Sequence, residues 1–181
     1  MNSASLSYSL AQSDLSILSA QLRKQCHVTL KIWRGLDAVS RLEELVSTAD
    51  VATTSWLPSP PVLDDQRTVI EQVLAVSSAH GLSEPPVLAD FVVDLLDADV
   101  LIDKPTWHFS RGEKQVAGLI LAFARPFDRL ILIDPTAGLD PRRARDLAEF
   151  LVDLGAHIEI DVVSDADVFT VTHDTEEGSC S

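Results

Sequence analysis

Apolar residues fall into short blocks, and the spacing within each block predicts an element. Near the start Leu6, Tyr8 and Leu10 alternate with serines, and Leu15, Ile17 and Leu18 form a second run; both predict short strands. A helix is predicted over Leu30–Leu45. Thr53–Pro61, within ATTSWLPSPP, carries the prolines of a loop. Two helices follow. Val69, Ile70, Val73 and Leu74 share one face of the first. The second begins after Ser83 with Pro85 and Pro86 at its opening, where a missing N–H does no harm. Its pairs Val87/Leu88, Phe91/Val92 and Leu95/Leu96 recur every four residues, a stripe broad enough to require packing against another element. Residues 67–108 are therefore expected to form a small helical subdomain.

The last third is the most regular. Ser110 and Glu113 have the S-x-x-E spacing of a capping box, which predicts a helix with Val116, Leu119, Ile120 and Phe123 on its inner face. Leu130–Ile133 is continuously apolar, as in a parallel strand buried on both faces. Asp140-Pro141 gives an N-cap followed by proline at the first helical position, and Leu147, Phe150, Leu151 and Leu154 form the next inner face. Ile158–Val163 and Val168–Thr172 predict further strands. Strands alternating with helices predict one α/β domain over residues 1–181 with a largely parallel sheet.

Charge narrows the partners. The 181 residues carry 28 acidic against 14 basic side chains, a net charge of −14. Such a surface repels phosphate backbones and anionic lipid, which argues against nucleic acid and direct membrane adsorption. The two cysteines, Cys26 and Cys180, have neither metal-ligand spacing nor a disulfide framework, so a reduced, cytoplasmic setting is expected. The first 21 residues lack a basic, then apolar, leader, and no run is long enough to span a bilayer.

Three segments carry a resemblance. FSRGEKQ at Phe109–Gln115 is similar to the LSGGQ or LSGGE signature, LILIDPTAGLD at Leu130–Asp140 to a Walker B strand with its D-loop, and VTHD at Val171–Asp174 to a switch-histidine strand. In this order they resemble the core of ATP-binding-cassette (ABC) ATPases. Upstream, DLSILSA at Asp14–Ala20 resembles the strand leading into the phosphate-binding loop, TLKIWRGL at Thr29–Leu36 the helix after it, and TVIEQVL at Thr68–Leu74 the segment after the Q-loop. The resemblance implies a P-loop-NTPase-like α/β fold, an ABC nucleotide-binding core with a helical subdomain. It also implies head-to-tail pairing, each ATP lying between one chain's phosphate loop and the other chain's signature helix.

The departures from that pattern are chemical. A phosphate loop reads G-x-x-x-x-G-K-[ST], its glycines letting backbone N–H groups wrap the phosphates while the lysine and hydroxyl serve phosphate and magnesium. The first glycine here is Gly35, and no glycine precedes a lysine. In the family register the loop becomes AQLRKQCHV, with Cys26 in the lysine's place and His27 in the hydroxyl's. Walker B keeps one acid, Asp134: either it holds the glutamate's place with Ile133 in the aspartate's, or one residue is deleted and it is the magnesium ligand. No Q-loop glutamine is identifiable; Trp56 lies near its place and Gln66 too close to the next helix.

The resemblance therefore implies a chain that holds no nucleotide of its own and works beside an intact ATPase subunit and a membrane permease subunit, at the inner face of the membrane. Ser110, Arg111, Gly112 and Glu113 would meet ATP and magnesium at the partner's site; Asp140 is the D-loop acid and His173 the switch-histidine remnant. Plainer readings stand beside these: Ser110–Glu113 and Asp140 as helix caps, His173 as a strand-end histidine. Two other classes are a small active ATPase with a non-standard phosphate loop, and a scaffold that keeps the fold without nucleotide.

Overall fold

The computed structural model describes residues 30–169, with the backbone alone at 36–39. Four strands, β1 Leu30–Trp33, β2 Thr54–Leu57, β3 Arg129–Ile133 and β4 Glu159–Val163, form one sheet in the order β1-β4-β3-β2. All three pairings are parallel, and Leu130 faces Ile160 across the centre. Helix α1 (Gly35–Thr48) follows β1. After β2 come α2 (Val69–Ala79), α3 (Val87–Leu95), α4 (Asp99–Ile102), a 3-10 turn at Thr106–His108, and α5 (Arg111–Ala122). Helix α6 (Pro141–Gly155) joins β3 to β4, and a 3-10 turn at Asp167–Phe169 ends the described chain.

Period-two alternation divides the strands between two faces. Leu30, Ile32, Leu130, Leu132, Ile160 and Val162 join the main core with the inner faces of α2, α3, α5 and α6. Phe123, fully buried, packs its ring 5.7 Å from both Phe127 and Phe150 and ties α5 to α6. The other face carries a small cluster of Leu45, Ile131 and Val163 beside Trp33 and Ala49, and a polar ladder. In that ladder Asp161, fully buried, accepts from Arg129 (2.7 Å) and from Trp33 Nε1 (2.9 Å), while Lys31 pairs with Glu159 (2.9 Å).

Three sequence expectations are corrected. Leu30–Leu45 is not one helix: its first four residues are β1. Leu30 and Trp33 sit three apart, as on a helix, but the alternation of Leu30 and Ile32 with Lys31 and Trp33 suits a strand with core on one side and the polar ladder on the other. Thr53–Pro61 is not wholly loop, because β2 occupies Thr54–Leu57 and the prolines begin only after it. Val168 and Phe169 lie in a 3-10 turn rather than a strand. The early strands expected between Leu6 and Leu18 lie outside the described residues. Segment 67–108 is helical, and its apolar residues merge into the same core as α5. No described helix is long and apolar enough to cross a membrane.

Candidate functional site

The carboxyl ends of the parallel strands gather the site. At the end of β3 stands Asp134, half-buried, its N–H donating to Val163 O (2.8 Å). Its φ is +46°, left-handed, a conformation that Asp and Asn adopt more readily than other side-chain-bearing residues. Its carbonyl accepts from Ala137 N–H (2.9 Å) and from Gln115 Nε2 (3.0 Å), so one turn of the loop and one side chain of α5 converge on it. The loop continues through buried Thr136, whose carbonyl accepts from Leu139 N–H (3.1 Å), and Gly138 at φ +77°. It ends at Asp140, the N-cap of α6, whose carboxylate accepts from Arg142 and Arg143 N–H, both at 3.0 Å. The Arg143 N–H is the largest of the influences holding the Asp140 carboxyl below its ordinary range.

Helix α5 begins with the predicted capping box: Ser110 Oγ accepts from Glu113 N–H (3.3 Å) and Glu113 Oε2 accepts from Ser110 N–H (2.8 Å). The Glu113 carboxyl is held below its ordinary range by the Ser110 side chain first and by the Ser110 N–H second, with Lys104 and Arg143 adding to the effect. The N–H groups of Arg111 and Gly112 are first-turn donors with no carbonyl inside the helix to meet them. Ser110 and Arg111 are exposed, so this helix start offers a hydroxyl and a guanidinium to solvent, chemistry suited to an anion.

The end of β1 is different. Arg34 alone separates β1 from α1. Trp33 O accepts from Ser164 N–H (3.1 Å), Arg34 Nη2 donates to Ala166 O (3.4 Å), and Gly35 N–H, the first of α1, donates to Asp165 Oδ1 (2.9 Å). A strand–loop–helix unit that wraps phosphate needs a loop of several N–H groups. Here one residue makes the connection, and a carboxylate from the loop after β4 holds the helix's first N–H.

The fold thus brings Ser110–Glu113, Asp134 and Asp140 together. His173, Cys26 and His27 lie outside the described residues. The register that put Cys26 and His27 in the lysine and hydroxyl places requires a helix at Thr29–Leu36, and β1 occupies half of that stretch. The strand-to-helix step inside the sheet is β1–Arg34–α1 instead. Sequence reasoning passed over Gln115, Gly138 and Asp165. The first two lay inside the quoted motifs as untried residues; Asp165 had no local signal.

No family model matches the sequence. The chain is 30% identical over 105 residues to the ABC-type transporter ATP-binding protein EcsA of Bacillus subtilis, covering 52% of this chain and 39% of that protein. It is 25% identical over 127 residues to the ABC transporter ced-7 of Caenorhabditis elegans, covering 68% of this chain and 8% of that one. The chain therefore spans well under half the length of these relatives. Among solved structures, a bacterial ABC transporter cassette described as dimeric superimposes with a TM-score of 0.64 at 12% identity, over 81% of this chain and 78% of that one. The ATP-binding subunit of an ABC transporter gives 0.61 at 19% identity, over 75% and 67%. Strand order, site and likeness agree: this chain has the fold of an ABC nucleotide-binding domain and is homologous to ABC transporter ATP-binding subunits.

Proposed function

We propose that the chain is the non-catalytic half of an ABC-type pair: it holds no nucleotide itself, joins an intact ATPase subunit, and turns the first turn of α5 toward the partner's ATP. The observation that carries the reading is the one-residue step from β1 to α1, with Gly35 N–H already given to Asp165. Phosphate finds no nest of N–H donors there, so ATP and magnesium do not fit this chain's own half. The chain would meet them only at the partner's site, through Ser110, Arg111 and Gly112, with Glu113 bracing the turn. Asp134 is the one acid immediately beyond β3, whereas phosphoryl transfer draws on a phosphate loop, a metal-holding acid and a residue that orients the nucleophile. The permease subunit that such pairs serve would hold the complex at the cytoplasmic face of a membrane, and Asp140 would lie near the pair's interface.

The test is calorimetric titration of the purified chain with Mg-ATP, followed by an ATPase assay with an intact ABC subunit that co-purifies with it. The reading expects no heat of binding from the chain alone, and a fall in the partner's turnover with Ser110→Ala. Micromolar binding by the chain alone would refute it in favour of an active ATPase. A partner indifferent to Ser110→Ala would remove the role in trans.

A further inference from the structure

We propose that Gly112 and Gln115 are positioning residues that lock the first turn of α5 to the Asp134–Asp140 loop of the same chain, so that the two move as one body. Gly112 has its missing side chain used up inside the protein. A Cβ there would fall inside contact distance of Gly138 O and 3.3 Å from the Gly138 carbonyl carbon. The relation is reciprocal: a Cβ on Gly138 would stand 3.2 Å from Gly112 N and 3.3 Å from its Cα, at a φ of +77° that side chains rarely adopt. Two backbones meet face to face, and neither glycine accepts a substituent. Gly35 and Gly81 contrast with them, because a Cβ on either would meet nothing within 4 Å. Close packing against the loop therefore explains Gly112 without any ligand.

Gln115 adds a second fastening one turn further along. It is 2% exposed, and its Nε2 donates to the Asp134 carbonyl at 3.0 Å, on the same oxygen that accepts from Ala137 N–H. Left-handed Asp134 is a backbone state that persists only when its surroundings over-determine it. Gln115 and Ala137 supply that determination. The lock thus spans from Ser110 to the cap of α6 at Asp140, and a load on exposed Ser110 and Arg111 would reach both Asp134 and Asp140. What supplies the load rests on the pairing proposed above; the lock itself does not.

Amide hydrogen exchange on the whole chain tests it, without partner or nucleotide. Gln115→Met keeps the length and removes the donor; Gly112→Ala keeps the donor and inserts the Cβ. Loss of one buried hydrogen bond corresponds to roughly a fivefold rise in local opening. We expect exchange at Ala137 and Leu139 to rise by about that factor or more in both variants while β3 and β4 keep their protection. A packing role alone would leave Gln115→Met like the parent at Ala137, and that result overturns the lock. So does a rise spread evenly over β3, β4 and α5, which marks global loosening. Should Gly112→Ala fail to fold, Gln115→Met decides alone. Failure here leaves the pairing untouched, since that reading falls only by Mg-ATP binding to the chain alone or by the Ser110→Ala assay.

Discussion

Gly118→Ala should destabilise the protein, although two familiar effects favour it. Gly118 lies in the middle of α5, where alanine is a better helix former by about 1 kcal/mol. A newly buried carbon adds about 0.8 kcal/mol. Against them stands the site itself. The new Cβ would lie 2.6 Å from Pro61 Cβ, 2.9 Å from Pro61 Cγ and 2.8 Å from Leu57 Cδ1. Carbon pairs rest at about 3.5–4.0 Å, so all three contacts are strongly repulsive. Leu57 Cδ1 ends a side chain that can turn aside, but the Pro61 ring cannot move without its backbone. Overpacking of a tight core usually costs about 1–3 kcal/mol after relaxation. With a rigid ring as the main obstacle the gross cost exceeds that range, and the net loss is about 1–2 kcal/mol. Urea unfolding monitored by circular dichroism reads this as a lower midpoint at constant slope. Pro61→Ala added to Gly118→Ala should recover part of the loss, a coupling that a double-mutant cycle isolates. A Gly118→Ala protein as stable as its parent, or more so, would show that helix propensity outweighs the close approach of α5 to the segment after β2.

The polar ladder and the carboxylates give two further predictions. Arg129→Met should cost more than Asp161→Asn, about 3–5 against about 2–3 kcal/mol by chemical denaturation, because unpairing a buried charge dominates. Asp161 is fully buried with Arg129 as its cationic partner, whereas the Arg129 side chain is 19% exposed and also lies 3.7 Å from Glu159; equal losses would contradict that ordering. The second prediction is a pair of opposite pH dependences. Glu113 has a lowered pKa in the fold, so its contribution is present above the unfolded glutamate range and is lost as pH falls through the folded value. Glu113→Gln should therefore lower the melting temperature at pH 7 and lose its effect in acid. Asp90 has a raised pKa, through burial first and Asp94 second, so its ionised form opposes folding at neutral pH. Asp90→Asn should raise the melting temperature at pH 7 and change little below the carboxyl range; the same sign for both variants at pH 7 would refute the assignment.

What the sequence disclosed and what it hid divide by the distance over which each signal acts. Both caps in the last third, Ser110 with Glu113 and Asp140 with Pro141, are complete within four residues, and each forms as its spacing predicts. β3 reads as an unbroken apolar run after Arg129, while β4 is interrupted by Glu159 and Asp161, whose charges Lys31 and Arg129 answer from neighbouring strands. β1 and β2 are short strands of four residues, and their identity comes from neighbours rather than from themselves. Lys31 and Trp33 find Glu159 and Asp161 128 positions away, and no local periodicity contains that. The same holds at the site. Gln115 on Asp134, Gly112 on Gly138 and Asp165 on Gly35 are products of the fold. The missing glycine–lysine pair is visible in one dimension because it is an absence. β1 lies beside β4 and runs into α1 through Arg34 alone; on the reading proposed above, that short connection, rather than a loop of substituted side chains, stands where a phosphate loop would. That difference has a consequence for repair. On that reading, lysine and threonine placed at Cys26 and His27 would leave the β1–Arg34–α1 step unchanged, and calorimetry should detect no Mg-ATP binding. Only a glycine-rich insertion between Trp33 and Gly35, long enough to carry several N–H groups and free of the Asp165 carboxylate, offers phosphate a nest.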